Sequence, residues 1–219
     1  MDLPAFYFEL PVFQEHFGDS SSCPFKKLYV AMSLYEDVTN TKEVVDAASD
    51  SNGRAAEEEE EPLSSMSLNK FFKVFFDFDL VNIILQPEMI TSVEHVTYAI
   101  SRAITNVLNR KVHSGTLVAE IVYMLGGSSD VAKCAKEMCI NSAETINTCK
   151  SLLAVTISKT KQFGTIASVI KGTPLPIDKL ADITNESKIV KAFKFSKEEL
   201  ALPGGLNGAV LGRIGTKRI

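Results

Sequence analysis

The residues that could support catalysis are few and scattered. The histidines and cysteines are His16, His95, His113, Cys23, Cys134, Cys139 and Cys149. No two cysteines form a CxxC pair, and no histidine lies within metal-ligand spacing of them. Asp77-Phe78-Asp79 has the DxD form that can hold a cation, but two acids at this spacing are frequent by chance. With no Walker A, HExxH, GxSxG or strand-borne GxGxxG motif, we expect no catalytic residue, no metal site and no cofactor.

Basic residues form the first candidate binding feature. Arg110-Lys111-Val112-His113 is a basic loop, and Lys133 and Lys136 follow it on a predicted helix. The turn at 126–129 (Gly-Gly-Ser-Ser) could offer backbone N–H groups to a phosphate. Lysines that contact phosphates bind polyanions without sequence preference. The alternative, which the pattern alone favours, is a solvated helix face with an ordinary Gly-Ser turn.

An apolar stripe near the end of the chain is the second candidate. After Gly204-Gly205, the side chains at helical spacing are Leu206, Val210, Leu211 and Ile214. Such a helix either packs on its own domain or offers the stripe to another protein. The pattern alone favours packing within the domain.

Three consecutive helices must position the basic residues. A helix that starts at Thr91 or Ser92, with Thr91 and Glu94 as a capping box, runs to about Leu108. Thr116–Leu125 and Asp130–Met138 follow after short loops. Helices joined in this way pack side by side as a layer, so the two basic groups could meet on one face.

The remaining elements indicate the fold class. Strands are expected at Lys26–Tyr35, Val81–Leu85 and Ser151–Ile157, and further helices at Thr41–Ala48, Lys161–Lys171 (closed by Gly172) and Glu186–Phe195. Strands separated by groups of helices favour an α+β fold, with helices packed on a small mixed sheet in a single domain.

Charge and composition divide the chain. Residues 1–80 carry 6 Lys+Arg and 16 Asp+Glu, whereas residues 81–219 carry 17 and 11. Residues 1–25 are expected to form an appendage that either docks on one edge of the domain or stays mobile, and residues 26–219 form the domain. Within it, Ser49 to Leu68 contains the acidic run Glu57–Glu61 and is expected to be a disordered insert. The basic second part permits contact with a polyanion.

The bulk properties favour an intracellular protein. A length of 219 residues suits one domain. The start, Met1-Asp2-Leu3-Pro4, lacks the basic and apolar segments of a secretory signal, and no apolar run is long enough to cross a membrane. We therefore expect reduced, half-buried cysteines and a location in the cytoplasm and nucleus.

An ordered set of segments resembles the small TPRKB-type, kinase-binding subunit of the KEOPS (EKC) complex. The matching segments are 28–40, 84–87 with the helix that follows, 116–121, 126–140, 170–172 and 206–213. The resemblance implies an α+β fold, binding to the complex's atypical kinase/ATPase subunit, and capture of the 3′ CCA end of tRNA. The complex transfers a threonylcarbamoyl group to a tRNA adenosine through a different subunit, and it has been linked to telomere upkeep.

Carried over to this sequence, the resemblance implies two surfaces. The tRNA-end surface would comprise Arg110, Lys111, Lys133 and Lys136, with Ile140 as an apolar neighbour. The kinase-facing surface would include Leu206, Val210 and Ile214. The acidic insert and the long N-terminal lead depart from the family pattern.

Three functions therefore compete. The first is an adaptor that binds the kinase and tRNA. The second is a scaffold for the kinase with no RNA contact, and the acidic composition of the first 80 residues favours it. The third, a small enzyme, would need a polar cluster around a pocket. RNA binding through phosphates must weaken steeply with salt, which separates the first two functions.

Overall fold

A computed structural model describes residues 6–11, 27–52, 62–63, 65–161 and 164–217 of the chain. The strands are β1 (Phe6–Pro11), β2 (Lys27–Glu36), β3 (Leu80–Leu85), β4 (Leu152–Ser158) and β5 (Thr173–Leu175). The first helices are α1 (Thr41–Ser51), α2 (Leu68–Phe76), α3 (Val93–Leu108), α4 (Leu117–Leu125), α5 (Val131–Met138) and α6 (Ala143–Thr148). They are followed by α7 (Gly164–Val169), α8 (Leu180–Ile183), α9 (Glu186–Phe193), α10 (Lys197–Leu200) and α11 (Gly205–Thr216).

The sheet has the order β1-β2-β4-β3, and β5 pairs with the end of β2. Every described pair of neighbouring strands is antiparallel. The predicted α+β class is confirmed, but the predicted mixed sheet is wrong. The helical connection from β2 to β3 joins two strands that run in the same direction, and β4 lies between them. Among the described strands, parallel ones are therefore never neighbours.

Helices cover both faces of the sheet. Side chains point alternately to the two faces along each strand, so each strand contributes to the cores on both sides. One face of β2 places Val30 and Met32 in a large core with α2, α3, α4, α5, α9 and α11. The other face places Tyr35 in a smaller core with α1, α6 and α7. The strong alternation between Leu28 and Leu34 is the pattern from which this strand was predicted.

The outer edge of β3 is partly covered by the side chain of Asn52, which caps the C-terminus of α1. Its carboxamide accepts from the N–H of Asn82 at 2.8 Å and donates to the carbonyl of Asn82 at 2.9 Å. The Asn82 side chain in turn contacts Ser51 and Thr156. A side-chain amide thus forms the paired hydrogen bonds that a neighbouring strand would otherwise provide.

The segments on either side of the predicted insert are more regular than expected. α1 continues to Ser51, three residues into the predicted insert, and α2 begins at Leu68. α2 was not predicted, although four of its phenylalanines are buried at helical spacing: Phe71, Phe72, Phe75 and Phe76. The acidic run Glu57–Glu61 lies outside the described residues. Of the N-terminal 25 residues, Phe6–Pro11 pairs with β2, and the rest lie outside the described residues.

Two predicted helix ends differ from the structure. α3 has as its N-cap Ser92, one of the two predicted starts, whose hydroxyl accepts from the His95 N–H. Thr91 does not form the predicted capping box, because its hydroxyl donates to Asn207. α7 ends at Val169, so Gly172 does not close it. A Cβ atom on Gly172 would lie 2.8 Å from the carbonyl oxygen of Glu36, so a glycine is needed there for close backbone approach. Among the described helices, none combines the length and the apolarity that a bilayer crossing requires.

Candidate functional site

The basic loop begins at an unusual end of α3. The N–H of Arg110 donates to Val107 at 3.0 Å, and the N–H of Lys111 donates to Asn106 at 2.9 Å. These two bonds form a Schellman motif, which places Arg110 in the left-handed region with a φ of 55°. Glycine usually occupies this position, and a side chain there costs about 1 kcal/mol.

The Arg110 side chain accounts for this conformation. Its Nη2 atom donates to the carbonyl oxygens of Leu63, at 3.2 Å, and Met66, at 2.9 Å. The guanidinium also lies 5.0 Å from the centre of the Phe71 ring. Arg110 therefore anchors the segment that precedes α2. The prediction that it contacts RNA remains untested, but this nitrogen is already engaged within the chain.

A buried carboxylate holds the rest of the loop. Glu120 is fully buried, and its Oε1 atom accepts from the Asn106 amide at 3.0 Å. Its Oε2 atom accepts from the N–H groups of His113 and Ser114 and from the Ser114 hydroxyl, at 2.9, 3.1 and 3.1 Å. Four hydrogen bonds compensate the desolvated charge. The loop between α3 and α4 is consequently a fixed part of the fold.

Tyr123 connects this loop to α5. The His113 ring stacks on the Tyr123 ring with centroids 4.2 Å apart and an interplanar angle of 10°. The ammonium of Lys217 lies 3.8 Å from the same ring centre and 3.9 Å from the Cys134 sulfur on α5. It also donates to the carbonyl oxygens of Tyr123 and Gly126 at the end of α4. Burial lowers the pKa of Lys217 to about 8.

The lysines of α5 lie on its exposed side. Lys133 and Lys136 are exposed. The Nζ atom of Lys133 lies 3.8 Å from the Oε1 atom of Glu137, one turn further along the helix. The helix start does not fit the predicted phosphate site, because the Asp130 carboxylate already accepts from the N–H groups of Ala132 and Lys133. An acid at this position repels a phosphate. This favours the alternative that the sequence pattern preferred, an ordinary Gly-Ser turn before the helix.

α4 packs against both α3 and α5, so the basic loop and the lysines of α5 belong to one helical layer. Lys111, Lys133 and Lys136 are all exposed there. Ile140 does not accompany them: it is 2% exposed and belongs to the smaller core on the opposite face of the sheet. The pairing of Cys139 with Leu85 at the edge of β3 carries the chain across to that face.

Most of the predicted apolar stripe of α11 belongs to the chain's own core. Val210 and Ile214 are fully buried, and Leu206 is half-buried against the large core. Val210 and Ile214 are therefore unavailable for direct contact with a kinase. The pattern could not distinguish burial within the domain from burial against a partner.

A shallow groove lies beside this helix, between α3 and α11. Its volume is about 450 Å³, and its lining residues are Glu94, Thr97, Tyr98, Ser101 and Leu211. Tyr98 is 38% exposed. A Cβ atom added to Gly212 would meet no atom within 4 Å, so the surface of α11 is open there. Tyr98 was missed from the sequence because it lies outside the apolar stripe of α3.

The pKa of each described cysteine is raised by burial, and the described acids form no metal-binding group. Among residues the structure describes, no group of three or more His, Cys, Asp or Glu side chains could hold a metal ion. Cys134 and Cys139 are buried rather than half-buried as predicted, and burial raises the pKa of Cys139 to about 12. Such a thiol is a poor nucleophile.

Comparison with known proteins identifies a family to which the chain is similar. A family model described as "Kinase binding protein CGI-121" matches residues 35–218. The chain belongs to this family. The match includes α1 through α11, and hence both the groove and the basic loop, whereas β1 and most of β2 precede it.

Fungal relatives in the family cover part of the chain. An "EKC/KEOPS complex subunit CGI121" of Coccidioides immitis is 30% identical over 120 residues, which are 51% of this chain and 55% of the relative. The "EKC/KEOPS complex subunit cgi121" of Aspergillus fumigatus is 32% identical over 119 residues, 50% of this chain and 60% of the relative. The chain thus spans a little over half the length of the curated relatives it matches.

Proposed function

We propose that this chain is a non-catalytic subunit of a KEOPS/EKC complex in the cytoplasm and nucleus. It binds the atypical kinase/ATPase subunit of the complex and helps to recruit the 3′ CCA end of tRNA for threonylcarbamoyl-adenosine formation. The observation that carries the kinase-binding part is the match of residues 35–218 to a kinase-binding family. The names of the fungal relatives support the assignment to the complex.

The kinase-binding surface that we propose is the groove between α3 and α11. Tyr98 and Leu211 supply partly exposed apolar surface, and the lack of a side chain at Gly212 permits close approach of a partner. α11 is still the helix that contacts the kinase. The contacting residues lie on its accessible side and do not include the buried Val210 and Ile214.

The RNA-binding surface that we propose is the exposed part of the α3–α5 layer. Lys111, Lys133 and Lys136 supply positive charge there. Residues 81–219 carry an excess of six basic residues over acidic ones. This charge distribution supports attraction of phosphates, which depends on salt and not on base sequence.

A second candidate is a kinase scaffold that does not bind RNA. It is favoured by the engagement of Arg110 with Leu63 and Met66, and by the pairing of Lys133 with Glu137. Both cations are then partly committed within the chain.

The kinase-binding proposal is tested by co-purification with the kinase subunit. Leu211→Glu places a charge in the groove and should abolish co-purification while the protein stays folded. Val74→Glu is a matched control, because Val74 is 43% exposed on α2, outside the groove. Equal co-purification of both variants and the wild type would exclude the groove as the kinase site.

The RNA proposal is tested by titration with intact tRNA and with tRNA that lacks its CCA end, at two salt concentrations. The double variant Lys111→Glu/Lys136→Glu should bind more weakly, and added salt should weaken binding by the wild type. Lys42→Glu/Lys150→Glu makes the same change in net charge at two exposed lysines on α1 and after α6. If the wild type binds neither tRNA, the RNA-binding part of the proposal is wrong and the kinase scaffold remains.

A further inference from the structure

Asparagine is followed by glycine at two places in the chain, Asn52-Gly53 and Asn207-Gly208. Asparagine is chemically labile, and it is most labile before glycine, whose backbone nitrogen is unhindered and can attack the side-chain carbonyl carbon. The new C–N bond closes a cyclic imide, and the side-chain nitrogen leaves as ammonia. Water then opens the imide to aspartate or isoaspartate, so that one water is consumed for each ammonia released.

The Asn207-Gly208 pair is held within α11. The backbone N–H of Gly208 donates to the carbonyl oxygen of Gly204 at 3.0 Å, so the nitrogen that would attack is engaged in the first turn of the helix. The Oδ1 atom of Asn207 accepts from the hydroxyl groups of Thr91 and Ser92 at 2.7 and 2.9 Å, which fixes the carboxamide to the start of α3. The imide can form here only after this part of the helix has unwound.

Asn52 lies at the end of a helix rather than within one. α1 ends at Ser51, and the backbone N–H of Asn52 is shared between the carbonyl oxygens of Ala48 and Ser49, at 3.2 and 3.3 Å. The last turn of a helix frays, and such local opening requires much less free energy than global unfolding. Fraying also releases the carboxamide from Asn82. The fold therefore protects Asn52 less than it protects Asn207.

We propose that Asn52 is a deamidation site and that its conversion detaches the end of α1 from β3. The carboxamide donates to the Asn82 carbonyl at 2.9 Å and accepts from the Asn82 N–H at 2.8 Å. An aspartate keeps the acceptor but has no hydrogen to donate, and its charge would face the carbonyl oxygen of Asn82. In isoaspartate the backbone runs through the former side chain, so the paired contact is lost.

The two asparagines also differ in what their conversion would change. At Asn207 both hydrogen bonds of the side chain are accepted by Oδ1, and a carboxylate can accept both. At Asn52 one of the two bonds is donated, and a carboxylate cannot form it. Asn207-Gly208 is thus a matched control for Asn52-Gly53 within the same molecule, in the rate of the reaction and in its structural effect.

The first experiment incubates the full chain at mildly alkaline pH and maps aspartate and isoaspartate by peptide mass spectrometry. We expect conversion at position 52 and none at position 207 over the same time. In urea both positions should convert, which would show that the fold creates the difference. Gly53→Ala should slow the conversion of Asn52, because the added methyl group hinders attack by the backbone nitrogen.

The second experiment measures amide hydrogen exchange at Asn82. Asn52→Asp should speed this exchange about tenfold, the effect of one lost hydrogen bond. Asn207→Asp, which makes the same chemical change at the other pair, should leave the exchange at Asn82 as in the wild type. Circular dichroism verifies that both variants are folded.

Each part of the proposal can be refuted. Equal conversion of both asparagines in the folded chain, or conversion of Asn52 only in urea, would show that the fold does not select Asn52 as a site. Unchanged exchange at Asn82 in Asn52→Asp would refute the detachment of α1. Neither measurement involves the kinase or RNA, so both results are independent of the proposed function.

Discussion

The Nε2 atom of His95 lies 3.0 Å from the carbonyl oxygen of Leu125. Because a carbonyl only accepts, this nitrogen carries the proton, and Nδ1 is left to accept from the N–H of Thr91 at 3.4 Å. The bond joins the first turn of α3 to the last turn of α4. The ring is fully buried, and this desolvation lowers the pKa of His95 to about 4.

The stability of the fold should therefore fall as the pH drops through the range from 6.5 to about 4. In this range the unfolded chain binds a proton at His95 and the folded chain does not, so acid favours unfolding. The expected loss from this residue is about 2 kcal/mol at pH 5.

Urea unfolding of the wild type and of His95→Gln at several pH values measures this loss. The stability difference between the two should shrink as the pH falls, because the glutamine does not titrate. His113→Gln is the control, since its imidazole is exposed. A difference that is constant from pH 7 to pH 4 would contradict the assignment.

Replacement of Glu120 by glutamine should destabilise the fold by about 2–3 kcal/mol. The Oε2 atom accepts from three donors, and an amide nitrogen at that position would face their hydrogens. Chemical denaturation measures the loss. Faster amide hydrogen exchange at His113 and Ser114 should accompany it. Unchanged exchange would show that the carboxylate does not hold the loop.

Neighbouring positions on α11 should respond differently to the same substitution. Val210→Asp buries an unpaired charge in the core and should destabilise the chain by more than about 3 kcal/mol. Leu211→Asp lies in the groove and should leave most of the stability intact. Thermal unfolding of both variants tests this directly. Val210→Asp protein with the wild-type melting temperature would be incompatible with the packing of α11 described here.

Substitutions of Arg110 should separate its backbone strain from its side-chain contacts. Arg110→Ala removes the contacts with Leu63, Met66 and Phe71 and should cost about 2 kcal/mol. Arg110→Gly removes the same contacts but also relieves the left-handed strain, so it should be about 1 kcal/mol more stable than the alanine variant. Equal stabilities of the two variants, measured by urea unfolding, would show that the strain is negligible.

The helices around the basic loop could be predicted from the sequence because their signals are local. Apolar periodicity and the turns that flank the helices placed α4 and α5 to within one residue. The contacts that shape the candidate site are not local. Arg110 reaches Met66, 44 positions earlier, and Lys217 reaches Tyr123, 94 positions earlier. No spacing rule predicts such pairs.

The dependence on contacts between distant residues also explains the errors in the predicted candidate site. Val210 and Leu211 are adjacent and both apolar, and the packing of α11 against its neighbours decides that Val210 is buried and that Leu211 faces the groove. The His113–Tyr123 stack likewise depends on Glu120, whose burial was not evident from its place on an amphipathic helix.

The Asn52 carboxamide has a consequence for self-association. A strand at the border of a sheet is a template on which another chain can add by backbone pairing, the first step of fibrillar aggregation. At Asn82 that template is interrupted, because both backbone groups of this residue already bond to Asn52. A second copy approaching β3 would have to displace an internal amide before it could align. One side chain thus gives the border of the sheet a measure of protection against pairing with a second copy of the chain.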